Sequence, residues 1–296
     1  MTVGRGELDS DAPQSEIEAA QQSARTDEFG CVTGPAPMQS LLAVNLVGLR
    51  TIMRREIRRV TRIWVQTIVP PAITMTLYFV IFGSLIGRRI GEMDGLPYIT
   101  YIAPGLIMMA VITNSFSNVV SSFFSAKLQL YLEELLVSPL STATIVVGYM
   151  IGGIFRGLAV GVLVTVVALL FTRISVEHPL ITLSVVVLVA AVFSLAGLLN
   201  AIFAKTFDDI SIVPTFVLTP LTYLGGVFFS ISLLAPPWQA AAMANPILYM
   251  VNAFRYGVLG VSDIPIGVAY ALILGLLVAL FLANMWLLTK GRGIRS

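Results

Sequence analysis

The amino-acid sequence predicts an all-α membrane protein with six transmembrane helices. An N-terminal amphipathic interface helix leads into them, and re-entrant outer helices lie between spans five and six. Three observations carry this prediction. The chain is 57% hydrophobic and 11% charged, with a mean hydropathy of +0.90, whereas a water-soluble domain carries about 25% charged residues. Its apolar residues gather in stretches on the order of 20 long, the length that crosses about 30 Å of hydrocarbon. Its basic residues collect at the flanks of those stretches instead of spreading evenly.

Residues 1–39 are rich in Ser, Gln, Asp and Glu and contain no apolar run, so a disordered tail is expected ahead of a membrane domain at 40–296. The tail lacks the basic and apolar regions of a signal peptide. From there the apolar residues fall at Leu46, Leu49, Met53, Ile57, Val60 and Trp64, within one narrow stripe of a helix. Arg50, Arg54, Arg55, Arg58, Arg59 and Arg62 occupy the rest of the circumference, opposed only by Glu56. Such a helix lies in the interface, its stripe in the acyl boundary and its arginines towards headgroups. Topology control and anionic-lipid binding suffice to explain it; docking against a partner protein is the second reading.

The first span, at about Trp64–Ile86, carries Pro70-Pro71, which predicts a kink. The second, at about Tyr98–Phe124, is polar in its later part. Asn114, Ser117/Asn118 and Ser121/Ser122 recur there on one helical face, which must meet another helix or a wet cavity. The third, at about Ile145–Phe171, carries Gly148, Gly152, Gly153, Gly157 and Gly161 at small-xxx-small spacing, a sign of close helix packing. Arg156 sits about three turns into that span, where a guanidinium costs at least about 3 kcal/mol on insertion scales. No acidic residue lies securely within any span. Its partners are therefore backbone carbonyls, Asn or Ser side chains of other helices, or an anionic substrate.

Between spans two and three, residues 126–138 predict a short cytoplasmic helix stopped before Pro139. Lys127, Gln129, Glu133 and Glu134 relieve an otherwise apolar surface, which suits either a protein partner or a membrane-skimming helix. The fourth span is expected at about Leu180–Ala204 and the fifth at about Ile210–Ser230, with Asp208 and Asp209 capping the latter. Next come Gly225-Gly226, Ala235-Pro236-Pro237-Trp238 and the stretch Asn245–Gly260. This region is too polar and broken for a seventh span, and too apolar for an exposed loop. A pair of re-entrant or interfacial helices fits, with Trp238, Tyr249 and Tyr256 at headgroup level. The sixth span, at about Pro265–Leu288, is followed by Lys290, Arg292 and Arg295 with no acid. The intervening loops dilute Arg88, Arg89, Arg173 and Arg255 with Glu92, Asp94, Glu177 and Asp263. Basic flanks stay cytoplasmic, so both termini are expected inside, as an even number of spans requires.

Cys31 and His178 are the only cysteine and histidine. No intrachain disulfide, zinc site, haem site or Cys–His nucleophile can be assembled from them, and no catalytic residue, cofactor site or metal ligand is expected. None of the three lysines, Lys127, Lys205 and Lys290, stands in a Gly-x-x-x-x-Gly-Lys-[Ser/Thr] loop, so ATP binding by this chain is not expected either. Nor is a nucleic-acid partner.

Longer stretches carry a family resemblance. They are Arg62–Gln66, Pro70–Tyr78, Pro104–Met109, Glu133–Leu136, Phe203–Ile210, Pro214–Phe228, the Asn245–Gly260 segment and Arg292–Arg295. In these the chain resembles the permease subunit of ABC-2 type exporters of the bacterial inner membrane. The resemblance implies a dimer with a second permease copy, bound to separate ABC ATPase subunits and surrounded by membrane lipids. It places Arg55, Arg59, Lys127, Glu133 and Glu134 at the coupling to the ATPase. It places Asn114, Asn118, Arg156, Asn245, Pro246 and Arg255 on the translocation path or its gate. Rival readings are an ion-coupled secondary transporter, which ordinarily carries ionisable groups at midplane, and a membrane anchoring or assembly factor. No motif distinguishes a glycan, a lipid or a drug as cargo.

Overall fold

Five of the six predicted stretches fold as helices long and apolar enough to cross a membrane in the computed structural model, which describes residues 41–291 apart from position 94. The expected tail at 1–39, with Cys31, and also Asp94, Arg292 and Arg295 lie outside the described residues. The amphipathic helix is α1 (Leu41–Arg62). A break at Ile63 leads into α2 (Trp64–Tyr78), which continues as a π-helical stretch, Phe79–Ile86, and a single turn, α3 (Gly87–Ile90). The helical run passes through Pro70-Pro71, and the widened turns begin only after Tyr78. A two-stranded antiparallel hairpin, β1 (Glu92–Met93) and β2 (Leu96–Pro97), pairs Glu92 with Pro97 and Met93 with Leu96.

Next come α4 (Tyr98–Leu128), the short α5 (Tyr131–Val137), α6 (Thr142–Phe171) and α7 (Pro179–Phe203). The fifth predicted stretch departs from expectation. Its helix starts early, at α8 (Phe207–Val213), widens into a π-helical turn at Pro214–Leu218, and ends in α9 (Thr219–Tyr223). Two local causes account for this. Thr206 and Asp209 form a reciprocal capping box that fixes the start. Pro214 and Pro220 lack the amide donors a regular ladder needs, and Gly226, at φ 69°, turns the chain away. A 3-10 turn (Ile231–Leu233), α10 (Pro236–Met243), α11 (Pro246–Leu259) and the long α12 (Ile266–Lys290) complete the chain.

α4 is the hub, packed against α6 and α7, with α11 and α12 closing on α7. The glycines of α6 divide among three neighbours. Gly157 and Gly161 face Ser115 and Val111 of α4, Gly153 faces Ser194 of α7 and Val119 of α4, and Gly148 and Gly152 face Ile52 and Glu56 of α1. From α7, Gly197 presses on the α4 backbone so closely that a Cβ there would lie 2.5 Å from the Phe116 carbonyl oxygen. Small residues thus set the helix spacing, as the glycine pattern predicts.

Candidate functional site

The glycine face of α6 selects which side of α1 turns inward. Gly48, Ile52 and Glu56 lie against Leu140, Gly148 and Gly152 respectively, one helical turn apart, and Val60 continues the buried face. The predicted apolar stripe shares only Val60 with this face. Leu46 and Trp64 are 69% and 57% exposed, and Leu49, Met53 and Ile57 are half-buried. Close backbone approach, which glycine permits, decided the docking side ahead of hydrophobicity.

That rotation carries one acid into the bundle. Glu56 is 1% exposed. Its Oε1 accepts a 2.6 Å hydrogen bond from the Ser122 hydroxyl, and its Oε2 pairs with Arg59 Nη2 at 3.3 Å. The same Nη2 donates to Asn118 Oδ1 at 2.8 Å and to the Asn118 carbonyl at 3.0 Å, while Nη1 reaches Ser121 Oγ at 3.3 Å. One turn up α4, Asn114 Nδ2 donates to the Ala110 carbonyl at 2.9 Å, which turns Oδ1 towards Arg156 Nη2 at 3.4 Å. Glu56 and Arg59 of α1, Asn114, Asn118, Ser121 and Ser122 of α4, and Arg156 of α6 therefore form one polar seam. Four expected residues meet there: Arg59, Asn114, Asn118 and Arg156. Ser121 and Ser122 belong to the polar face expected to meet another helix; Glu56 was not expected there, although its (i, i+3) spacing from Arg59 was a readable sign of pairing.

A second cluster surrounds α5. The Arg55 guanidinium lies over the Tyr131 ring, 4.0 Å from its centroid, and ties α1 to α5. Leu132 and Leu135 are buried beneath α5, while Glu133 and Glu134 in its first turn are exposed. The preceding Leu130 takes φ 58°, a conformation that costs a non-glycine residue about 1–2 kcal/mol. Asn45 Oδ1 accepts from the Ser141 amide at 2.8 Å and the Thr144 hydroxyl at 3.1 Å, so α1 is also tied to the start of α6. Lys127 turns towards the bundle. Its Nζ donates to the Ile202 and Ala204 carbonyls, both at 2.9 Å, where α7 ends and its dipole favours a cation.

The remaining expected residues lie apart, around α11. Asn245 caps that helix, its Oδ1 accepting from the Ile247 amide at 3.0 Å and its Nδ2 donating to the Leu221 carbonyl at 2.6 Å. Pro246 follows at the first helical position, where its fixed φ suits the helix. Arg255 is 1% exposed. Its Nη2 donates to the Gly226 carbonyl at 2.6 Å, and its guanidinium stacks 4.0 Å from the Tyr101 centroid. Asn252 Oδ1 accepts from the Asp263 amide at 3.2 Å, and His178 stacks on Tyr256 at 5.0 Å. Arg255, Asn245 and Asn252 thus join the turn at Gly226, the end of α9 and the approach to α12. Among the described residues no cluster of His, Cys, Asp and Glu could hold a metal ion.

The family model of the ABC-2 type transporter matches residues 47–259. This chain belongs to the ABC-2 type transporter family. The match to ABC-2 transporters runs from within α1 to the last residue of α11, and so contains the seam, the α5 cluster and the α11 cap. The chain is 56% identical to the inner membrane transport permease YadH of Escherichia coli (strain K12) over 250 residues, 84% of this chain and 98% of that one. It is 25% identical over 185 residues to nodulation protein J of Rhizobium leguminosarum bv. viciae, covering 62% and 71% of the two chains. Nodulation protein J of Rhizobium meliloti (strain 1021) is 22% identical over 192 residues, 64% and 73% of the two chains. The expected family resemblance is borne out, and with it a membrane-embedded ABC transporter permease.

Proposed function

We propose that this chain is the membrane subunit of an ATP-driven exporter in the bacterial inner membrane. In this reading it works as a dimer of permeases with ATP hydrolysis on separate ABC ATPase subunits. The observation that carries the reading is the surface of α5. Its acid pair faces outward while Leu132 and Leu135 are anchored inward and Tyr131 is held by Arg55 of α1. A partner pressing on Glu133 and Glu134 would move α5 and α1 as one body. Arg59 and Glu56 would pass that motion to α4 through Asn118 and Ser122.

The α4 surface beyond them lines a groove of about 280 Å³ with the broken helix, through Ser117 and Ser121 on one side and Ser211 and Thr215 on the other. We assign that groove to the transport path. The broken run of α8, π turn and α9 contains 7, 5 and 5 residues. At about 1.5 Å per residue it reaches roughly 25 Å, near the short end of a membrane crossing. Taken as the fifth of six spans, it would leave both termini and α5 in the cytoplasm and α10–α11 at the outer face as a re-entrant pair.

The test changes both acids, because single rim charges contribute little. Glu133→Ala/Glu134→Ala permease, purified with its ATPase subunit, should insert normally, recover less of that subunit and stimulate its hydrolysis less. Wild-type recovery and stimulation would refute α5 as the coupling surface.

A further inference from the structure

The seam between α1, α4 and α6 holds more positive charge than it neutralises. The helices that build it contain a single acid, Glu56, which is engaged by Arg59 and Ser122. Among the described residues Arg156 pairs with no carboxylate and meets only the Asn114 amide oxygen, at 3.4 Å. Arg156 is the fifteenth residue of the 30-residue α6, so this excess charge sits halfway along an apolar helix.

Donors outnumber acceptors as well. Arg59 Nε, Arg156 Nε and Asn118 Nδ2 are buried without a hydrogen-bond partner, and Asn118 is 0% exposed. The amide orientation at Asn118 is fixed, because Arg59 can only donate and the atom it touches must be the oxygen. Ser115 Oγ is also buried without a partner, one residue from Asn114 and pressed towards Gly157 beside Arg156. Three groups that can only donate, two of them on cations, need an acceptor that carries negative charge.

We propose that this seam binds one oxyanion, the phosphate of an amphiphile, between Arg59, Arg156 and Asn118. An apolar body lets such a molecule bring a phosphate to this depth, and Arg59 and Arg156 are both only partly buried. The inference does not depend on the exporter reading, because binding is measured on the permease alone.

The experiment uses the purified full-length chain in detergent. Native mass spectrometry is run with phosphatidylglycerol and with phosphatidylcholine, and thermal unfolding is measured in parallel. Exposed arginines on α1 will also gather anionic lipid weakly, so Arg58→Gln/Arg62→Gln serves as the control for that background. Wild type should hold one phosphatidylglycerol at least 10-fold more tightly than phosphatidylcholine, and the control should keep that molecule. Arg156→Gln should weaken it at least 10-fold. Asn114→Asp supplies an internal carboxylate beside Arg156 and should lose the bound lipid equally. Competition by pyrophosphate would show that a free oxyanion also enters, and its failure to compete would restrict the site to lipid-borne phosphate. Equal lipid affinity in wild type, Arg156→Gln and Asn114→Asp would overturn the proposal.

Discussion

Replacing Glu56 by alanine removes the one carboxylate on which α1 closes against α4 and α6. Breaking a fully buried pair from one side costs about 3–5 kcal/mol. Arg59, however, is 28% exposed and keeps its bonds to Asn118 and Ser121, so solvent and those partners reduce the charge contribution to about 1 kcal/mol. Ser122, 4% exposed, loses its 2.6 Å acceptor, which adds about 1 kcal/mol. The methylenes lying on Gly152 add roughly another 1 kcal/mol. Together these make about 3 kcal/mol for Glu56→Ala. Glu56→Gln keeps the packing and an acceptor for Ser122, and should cost only about 1 kcal/mol. Denaturation in mixed micelles of increasing SDS fraction, followed by circular dichroism, measures both variants. Adding Arg59→Ala and the double variant isolates their coupling, expected between about 0.5 and 2 kcal/mol. Equal costs for Ala and Gln, or a coupling of zero, would refute Glu56 as the latch between α1 and α4.

Gly197→Ala and Gly275→Ala make the same chemical change in opposite surroundings. At Gly197 the new methyl meets the Phe116 carbonyl at 2.5 Å, so α7 must back away from α4 and stability should fall by about 1–3 kcal/mol in the same SDS assay. At Gly275 nothing lies within 4 Å, and the better helix former should stabilise by up to about 1 kcal/mol. Arg255→Lys keeps the charge but loses the flat stacking on Tyr101, and a single ammonium on a shorter stem no longer reaches Gly226 in the same way. It should destabilise by about 1–2 kcal/mol, and limited proteolysis of the 224–264 region should accelerate; unchanged cleavage there would count against Arg255 as the pin of that turn.

Apolar length was easily read. The ends of α6, α7 and the last span fall within three residues of their expected positions, because nothing competes with a continuous apolar helix there. The fifth stretch was misjudged because its hydropathy was weighed ahead of Pro214, Pro220 and the Gly225-Gly226 pair, all visible in the sequence. The inward face of α1 was less accessible. Periodicity counts apolar residues, whereas Gly48 and Glu56 entered the interface through their fit to Leu140 and Gly152 some 90 positions away in the chain. Asn114 and Arg156 were each marked as polar residues in need of partners, but that they meet one another emerged only from the register of α4 and α6. The glycine spacing on α6 was legible as a packing signal; that it serves three neighbours at once was not.

The enclosure of α4 bears on how the chain is assembled. In its most apolar window 78% of the residues are buried by protein, against 11% for α12, yet its hydropathy of 1.5 is the lowest of the five long helices. During synthesis it leaves the ribosome before α6 and α7, which pack along it and bring Arg156 to Asn114, Gly157 to Ser115 and Gly197 to Phe116. The helix at the centre of the finished bundle is therefore the one least suited to lipid when it first arrives there. Its retention in the bilayer depends on later-made neighbours, so substitutions that delay α6 or α7 should expose α4 to quality-control proteolysis even when every residue of α4 is intact.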